Sequence, residues 1–482
     1  VPASAVPQQL TDRVSVSTLG TQADGASSRP VISHDGSFVA FDSVATNLVP
    51  SDTNGLRDVF LRDRLAGATV RVSRGLAGAQ PTGASSSASI SADGGMIAFE
   101  SSATNLVSGD SNGQIDIFVH ELATGITRRA SVSATGVQAN GPSSQAAISS
   151  NGQLVAFQSH ATNLAAPNGS GIYLRNVVAG TTVFVSIGSH PAISSDGRFV
   201  AYERIWGFGT LVFRHDMSTG IGTPLTVLPP GTTWVDDYIV NAGISENGRV
   251  VTFDTGAFGY PGESGFPSHA WTYDCDASLA TRVSVDWEGL SGNMTSAHTR
   301  IAPDGRFVAF ESLASNLIQG DMAFTSDIFV HDIDQRFTFR VSGPSSGSQA
   351  NGASSSPSIA AGGRFVAYQS DASNLVPGDS NGVMDIFVAD VRRHSVATYC
   401  TAGLSVNGCV PSVSASGVPS TTAGSGFEIT IGGVDGGRYG TIYYGLQATS
   451  FLWAPASLSF RCVRLPLQRT PVQDSGGAPG AC

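Results

Sequence analysis

The residues in this chain best suited to chemistry are carboxylates and amides at one repeated short spacing. The pattern Asp-x-Asn-Gly-x-x-Asp occurs with Asp52, Asn54 and Asp58, then with Asp110, Asn112 and Asp116, and again with Asp379, Asn381 and Asp385. Hard cations take several carboxylate, amide and carbonyl oxygens, and a glycine permits the sharp turn, so Ca2+ is the one cofactor these loops would suit. The spacing is shorter than an EF-hand loop and lacks its closing Glu. The same residues also serve as turn caps, because Asp and Asn side chains bond nearby backbone and Asn-Gly is itself a turn pair. Both readings stand at this level.

A second group is aromatic. Trp206, Phe208, Trp234, Tyr238, Phe258 and Tyr260 fall in a stretch where the carboxylate pattern is lost. Gathered on one face, such rings would offer a stacking surface for a sugar or a protein; folded under their own loops, they would form a satellite core. Asp236, Asp237, Asp254 and Glu263 are the carboxylates nearest them. The sequence contains no G-x-S-x-G, H-E-x-x-H, C-x-x-C-H or phosphate-loop motif. His120 and His331 share one place after a strand, where a surface polar residue is expected.

The elements that carry these groups follow from an internal repeat. An apolar residue followed by a turn pair recurs at ISHDG (from Ile32), ISADG (Ile90), ISSNG (Ile148), ISSDG (Ile193), ISENG (Ile244), IAPDG (Ile301) and IAAGG (Ile359). Asp-Gly, Asn-Gly and Gly-Gly accept the positive φ of tight hairpins. Each turn is followed by an apolar run such as SFVAF or RFVAF, a polar loop, a second run such as DVFLRD or DIFVHD, and a short RVS strand at 71–73, 129–133, 282–285 or 340–342. Four strands per unit at this period predict propeller blades. Runs that are greasy on both faces fit sheets sandwiched between sheets. The last unit lacks an RVS strand and one stands unclaimed at 13–17. We therefore expect an all-β, seven-bladed propeller over 1–397, closed by the N-terminal strand 13–17; the alternative is closure by 394–399. The linkers carry Gln-x-x-Gly at Gln22, Gln80, Gln138 and Gln349, on the same face as the Asp loops.

The units S-x-D-G-R-F-V-A-F and D-I-F-V-x-D resemble the TolB-type propeller repeat, a relative of the WD repeat found in many secreted bacterial proteins. The resemblance covers about residues 13 to 395. It implies a fold shared by scaffolds, periplasmic adaptors and peptidase gating domains, and so implies no single chemistry.

From about Thr398 the repeat stops, and 398–482 reads as a small β-rich domain holding Cys400, Cys409, Cys462 and Cys482. Four cysteines in so short a segment predict disulfides in an oxidising compartment, with proximity favouring Cys400–Cys409 and Cys462–Cys482. YCTA, the YYG strand, FRCV, RTP and the terminal Gly-Ala-Cys resemble the Cys-containing domain appended to secreted proteins of planctomycetes and myxobacteria-like bacteria. Cys275 is left over as a buried free thiol.

The formal net charge of -11 argues against nucleic acid or an anionic membrane as partner. All 26 basic residues are Arg. No apolar run reaches the roughly 18 residues of a membrane span, and Val1 opens the chain as a mature secreted protein would after signal removal. The expected function is a non-enzymatic extracellular or cell-surface propeller. It would act as a binding or self-assembly module, Ca2+-stabilised, with a protein, copies of itself or a glycan as partner. The alternative is a carbohydrate-binding or polysaccharide-degrading enzyme that uses the aromatic loops of blades 4 and 5.

Overall fold

The computed structural model describes residues 10–391 except 166–168, 207–208, 226–237, 257–266, 287, 319, 322–324 and 346–347, and beyond 391 only strand segments between 412 and 474. The chain separates into two compact units, Gln9–Val391 and Val1–Gln8 with Arg392–Cys482.

In the first unit the repeats form seven four-stranded antiparallel blades. Blade 1 runs outward through Ser27–Ile32, Phe38–Ser43, Asp58–Asp63 and Ala68–Arg71. Blades 2, 3 and 6 repeat that order. Blades 4 and 5 are additionally joined by one parallel bridge, Thr210 to Tyr238. The innermost strands pack side by side in chain order, the seventh against the first, and so enclose a channel.

Alternate residues of one strand serve two neighbours, which explains the continuous apolar runs. Val39 and Phe41 pack with Ile386 and Val388 of blade 7, while Ala40 between them packs with Ile97 and Phe99 of blade 2. Within a blade, paired rings stack, as Phe41 does on Phe60 and Phe99 on Phe118. The hairpin glycines lock one blade onto the last. A Cβ on Gly94 would lie 2.3 Å from the ring of Phe38, and one on Gly36 would lie 2.2 Å from that of Phe365. Both glycines have positive φ, so the turn and the close approach demand the same residue.

The ring closes through the N-terminus, but by Leu10–Arg13 rather than 13–17. Leu10 pairs with Asp390 and Arg13 with Phe387, which fills the edge considered for 394–399. The outer strands of blades 1, 2, 5 and 6 likewise end at the Arg of their RVS motif, at Arg71, Arg129, Arg282 and Arg340. The cause is a bulge. Val72 and Ser73 both donate their N–H to the carbonyl of Val59, at 2.8 and 3.4 Å, so the valine turns into the core and the serine turns back.

The innermost strands share a second irregularity. Arg29, Ser87, Gln145, His190, Asn241, His298 and Ser356 hold the same place and all have positive φ, between 48° and 60°. The pairing register shifts at each of them, as between Ser28 and Val31.

The second unit contains antiparallel strand pairs, Ser412–Ser416 with Glu428–Gly432 and Ala448–Leu452 with Phe460–Val463. Cys400, Cys409 and Cys482 lie outside the described residues. Cys462 falls on the strand Phe460–Val463, its side chain likewise outside the description.

Candidate functional site

The structure brings each predicted loop triad together around an arginine that the sequence reading had placed only in a strand. In blade 1 the Arg71 guanidinium lies between Asp52, at 3.0 Å, and Asp58, at 3.3 Å. Asp58 accepts from Asn54 Nδ2 at 2.8 Å and from Ser73 Oγ at 2.6 Å, while Gln80 Oε1 accepts from Arg71 at 2.5 Å. Blade 2 repeats the cluster, with Arg129 at 3.3 Å from Asp110 and 3.6 Å from Asp116, and with Asn112, Ser131 and Gln138 around them. In blade 7 the closing strand supplies the cation. Arg13 lies 2.8 Å from Asp379 and 3.2 Å from Asp385, with Asn381 and Ser15 completing the shell. Blade 6 keeps Arg340 between Asp321 and Asp327.

Burial pushes the carboxyls of Asp52, Asp58, Asp110, Asp116 and Asp379 up, and the guanidinium and serine hydroxyls oppose it. Arginine therefore supplies a counter-charge to these carboxylates. Among the described residues no group of three or more His, Cys, Asp or Glu is arranged to hold a metal. The Gln-x-x-Gly linker belongs to the same device. The Gln caps the loop, as Gln80 Nε2 does on Ser51 O. The Gly lets two backbones meet, since a Cβ on Gly83 would lie 2.5 Å from the carbonyl carbon of Ser102.

Of the aromatic arc, Trp206 is described. It ends the second strand of blade 4, is 46% exposed and stands 5.7 Å from Phe213, with Arg204 over its ring at 5.3 Å. Tyr238 begins the first strand of blade 5, its side chain outside the description. Phe208, Trp234, Phe258 and Tyr260 lie outside the described residues.

The sequence reading missed the channel wall. In four blades an acid or amide of the second strand, as in MIAFES or FVAYQS, reaches across to the next blade's positive-φ residue. Glu100 accepts from Gln145 N at 2.6 Å, Glu203 from Asn241 N at 2.7 Å, Glu311 from Ser356 N at 2.9 Å and Gln369 from Arg29 N at 2.8 Å. These carboxylates first satisfy backbone donors that the bulge leaves free. Glu100, Glu311 and Gln369 each stand before a Ser, the signal available in the sequence.

Along blades 4 to 6 this wall carries extra titratable groups. His190 Nδ1 lies 2.9 Å from Glu203 and His298 Nδ1 lies 2.8 Å from Glu311. Asp254, 1% exposed, accepts from Asn241 Nδ2 at 2.7 Å and from Thr299 Oγ1. Burial pushes Asp254 up to about 6. The hydrogen bond to Glu311 raises His298. Arg300 stands on the same wall in the field of Asp254, Glu311 and Glu203. Its Nη1 donates to Thr299 O at 3.0 Å, and its side chain is open to the channel. At the hairpin-turn end, His34 of blade 1 and Glu246 of blade 5 meet at 3.0 Å, and Ser150 of blade 3 donates to Glu246 at 3.1 Å. These three blades are not neighbours, so the contacts cross the axis of the ring.

No family profile and no curated protein matches the sequence. Among solved structures the chain is similar to a putative TolB from Agrobacterium tumefaciens, at 17% identity over 56% of this chain and 83% of that one, with a TM-score of 0.36. It is similar to the β-propeller domain of the Trilobed protease from Pyrococcus furiosus, at 12% identity over 77% and 95%, with a TM-score of 0.49. It is also similar to an oligogalacturonate lyase from Vibrio parahaemolyticus, at 11% identity over 79% and 96%, with a TM-score of 0.48. At these identities the likeness is one of fold.

Proposed function

We propose that the protein is a non-enzymatic binding propeller that receives a polar, anion-bearing ligand in the channel wall of blades 4 to 6. The observation that carries this is one break in the repeat. Six innermost strands put Val31, Ser89, Ala147, Ala192, Gly243 and Ser358 at the place opposite an Ala or Thr of the second strand, and the seventh puts Arg300 there. A guanidinium ringed by hydrogen-bonding carboxylates, imidazoles and an amide suits a ligand that presents both an acidic group and hydroxyls. An acidic glycan has that chemistry, and the exposed Trp206 would give it a stacking face. The test is a glycan array with neutral and acidic members. The wild-type chain should mark acidic glycans, and Arg300→Ser, which restores the small residue of the repeat, should lose them with its melting temperature unchanged. An array on which the two proteins behave alike would overturn the reading.

The Asp loops enter this proposal as structural clusters whose counter-charge is arginine, with Ca2+ not required. Chelation should then leave the melting temperature unchanged, whereas a folded-state metal would raise it by linkage. The extracellular setting is part of the same proposal. Its readout is the mass of peptides spanning Cys400, Cys409, Cys462 and Cys482 before and after reduction.

A second reading, an enzyme acting on polysaccharide, is favoured by Asp254. A carboxyl pushed up to about 6 beside a histidine and an arginine is the pairing expected of a general acid or base. Turnover of an acidic polysaccharide that vanishes in Asp254→Asn would favour it over pure binding.

A further inference from the structure

We propose a separate site, in the seam between blades 4 and 5 on the hairpin-turn face, that holds the phosphate or carboxylate of a small organic anion on Arg214. Strand register makes Arg214 an anomaly. It pairs opposite Ala201, where five other blades pair Leu61, Val119, Leu174, Val330 and Val388 with an alanine and blade 5 pairs Thr272 with Thr252. Those aliphatic residues fill the interface with the following blade, as Leu61 does beside Ile97 and Phe99. Arg214 points into the same kind of interface. Its Nη1 donates to Gly248 O at 2.8 Å and its guanidinium lies 4.5 Å from the centre of the Phe199 ring. Among the described residues no carboxylate stands within ion-pair distance of it.

Its neighbours are already paired. Arg198 holds Asp216 at 2.9 Å, and Arg249 holds Asp274 at 2.8 Å and Asp276 at 3.4 Å. The turn residue facing the seam is also altered. Asn247 Oδ1 accepts from Ser245 Oγ and Arg249 N, the bonds that Asp35 accepts from Ser33 Oγ and Ser37 N in blade 1. Asp93, Asp196 and Asp304 hold this place in blades 2, 4 and 6, while blade 3 has Asn151 with the same two bonds and blade 7 has Gly362. The exchange keeps the cap and removes a negative charge. Between these groups lies a cavity of about 520 Å3, larger than a bare ion needs. A half-buried cation without an ionic partner is costly, and an oxyanion accepting from its free N–H groups would remove that cost. The residues lining it include neither Arg300 nor any other residue of the channel wall, so it does not rest on the channel reading.

Isothermal titration of the full chain with inorganic phosphate and, separately, malonate, at constant ionic strength in chloride, tests the proposal. One saturable site per chain is expected for at least one anion, and the two arms separate phosphate from carboxylate recognition. Arg214→Leu, which restores the aliphatic residue of the repeat, should fold and lose the site. Asn247→Asp, which keeps the turn cap, should weaken binding by roughly tenfold through charge repulsion. No saturable heat from either anion, or affinities unchanged in the two variants, would overturn it. Should Arg214→Leu not fold, Asn247→Asp decides the outcome.

Discussion

At the residue scale, the blade is held by charges that neutralise one another out of water's reach. Arg71 faces two carboxylates that are 7% and 0% exposed, so its loss leaves buried charge unpaired. Arg71→Ala should cost about 3–5 kcal/mol in urea unfolding. His331 illustrates a place that the sequence suggests is at the surface. It is buried, and its Nδ1 lies 2.9 Å from Thr338 Oγ1, whose own proton goes to Val285 O. Arg62 and Arg175 bond Thr69 and Thr182 in the same way in blades 1 and 3. Burial pushes His331 down to about 4 from 6.5, so below pH 6.5 the unfolded chain takes up a proton that the folded chain refuses. Stability should therefore fall by up to about 1.4 kcal/mol per pH unit from 6.5 toward 4. Asp254 has the opposite sign. Raised to about 6 from 3.8, its contribution is present in acid and is lost as pH rises through 6. Melting temperature against pH for His331→Arg, the residue used in blades 1 and 3, should show a shallower first slope, since burial also pushes His120 and His215 down, and should keep the second.

At the element scale, neighbouring blades are keyed by glycine and by side chains that cap the bulges. Gly94→Ala would place a methyl 2.3 Å from the Phe38 ring at a φ of +75°, and should destabilise the fold by about 2–4 kcal/mol in denaturant. Glu100→Ala strips Gln145 N of its acceptor and should cost about 1–3 kcal/mol. The wall and loop residues are therefore structural before they are functional. Departures such as Arg300 and Arg214 stand out because the repeat specifies what the blade needs at each place.

At the scale of the whole molecule, closure joins the two ends of the propeller. Leu10–Arg13 supplies both the last edge strand and the cation for Asp379 and Asp385. Deleting residues 1–13 should expose the edge of Asp385–Asp390 and orphan two carboxylates. Calorimetry should then show a lower and broader transition. Because the ring buries its core between blades, the loss should spread from blade 7 into blades 1 and 6.

How much of this is legible in sequence depends on the range of the interaction. The hairpin pairs, the apolar runs and the seven-fold repeat are local signals, so the sequence by itself determined a seven-bladed all-β propeller, while the choice between its two closing strands fell to the pairing of Leu10–Arg13 with the last blade. The outer strand bounds were misplaced by a few residues, because the bulge at Val72 and Ser73 is invisible in an apolar pattern. The loop triads were seen, but their partner was not. Arg71 lies 13 residues from Asp58 in sequence and beside it in space, and only strand pairing brings the two together. The blade 4–5 seam came from tertiary structure alone, and the channel groups left only a recurring acid or amide in the repeat, since each is assembled from residues of different blades. Whether a side chain is a repeat residue or an exception shows only once register fixes what stands opposite it.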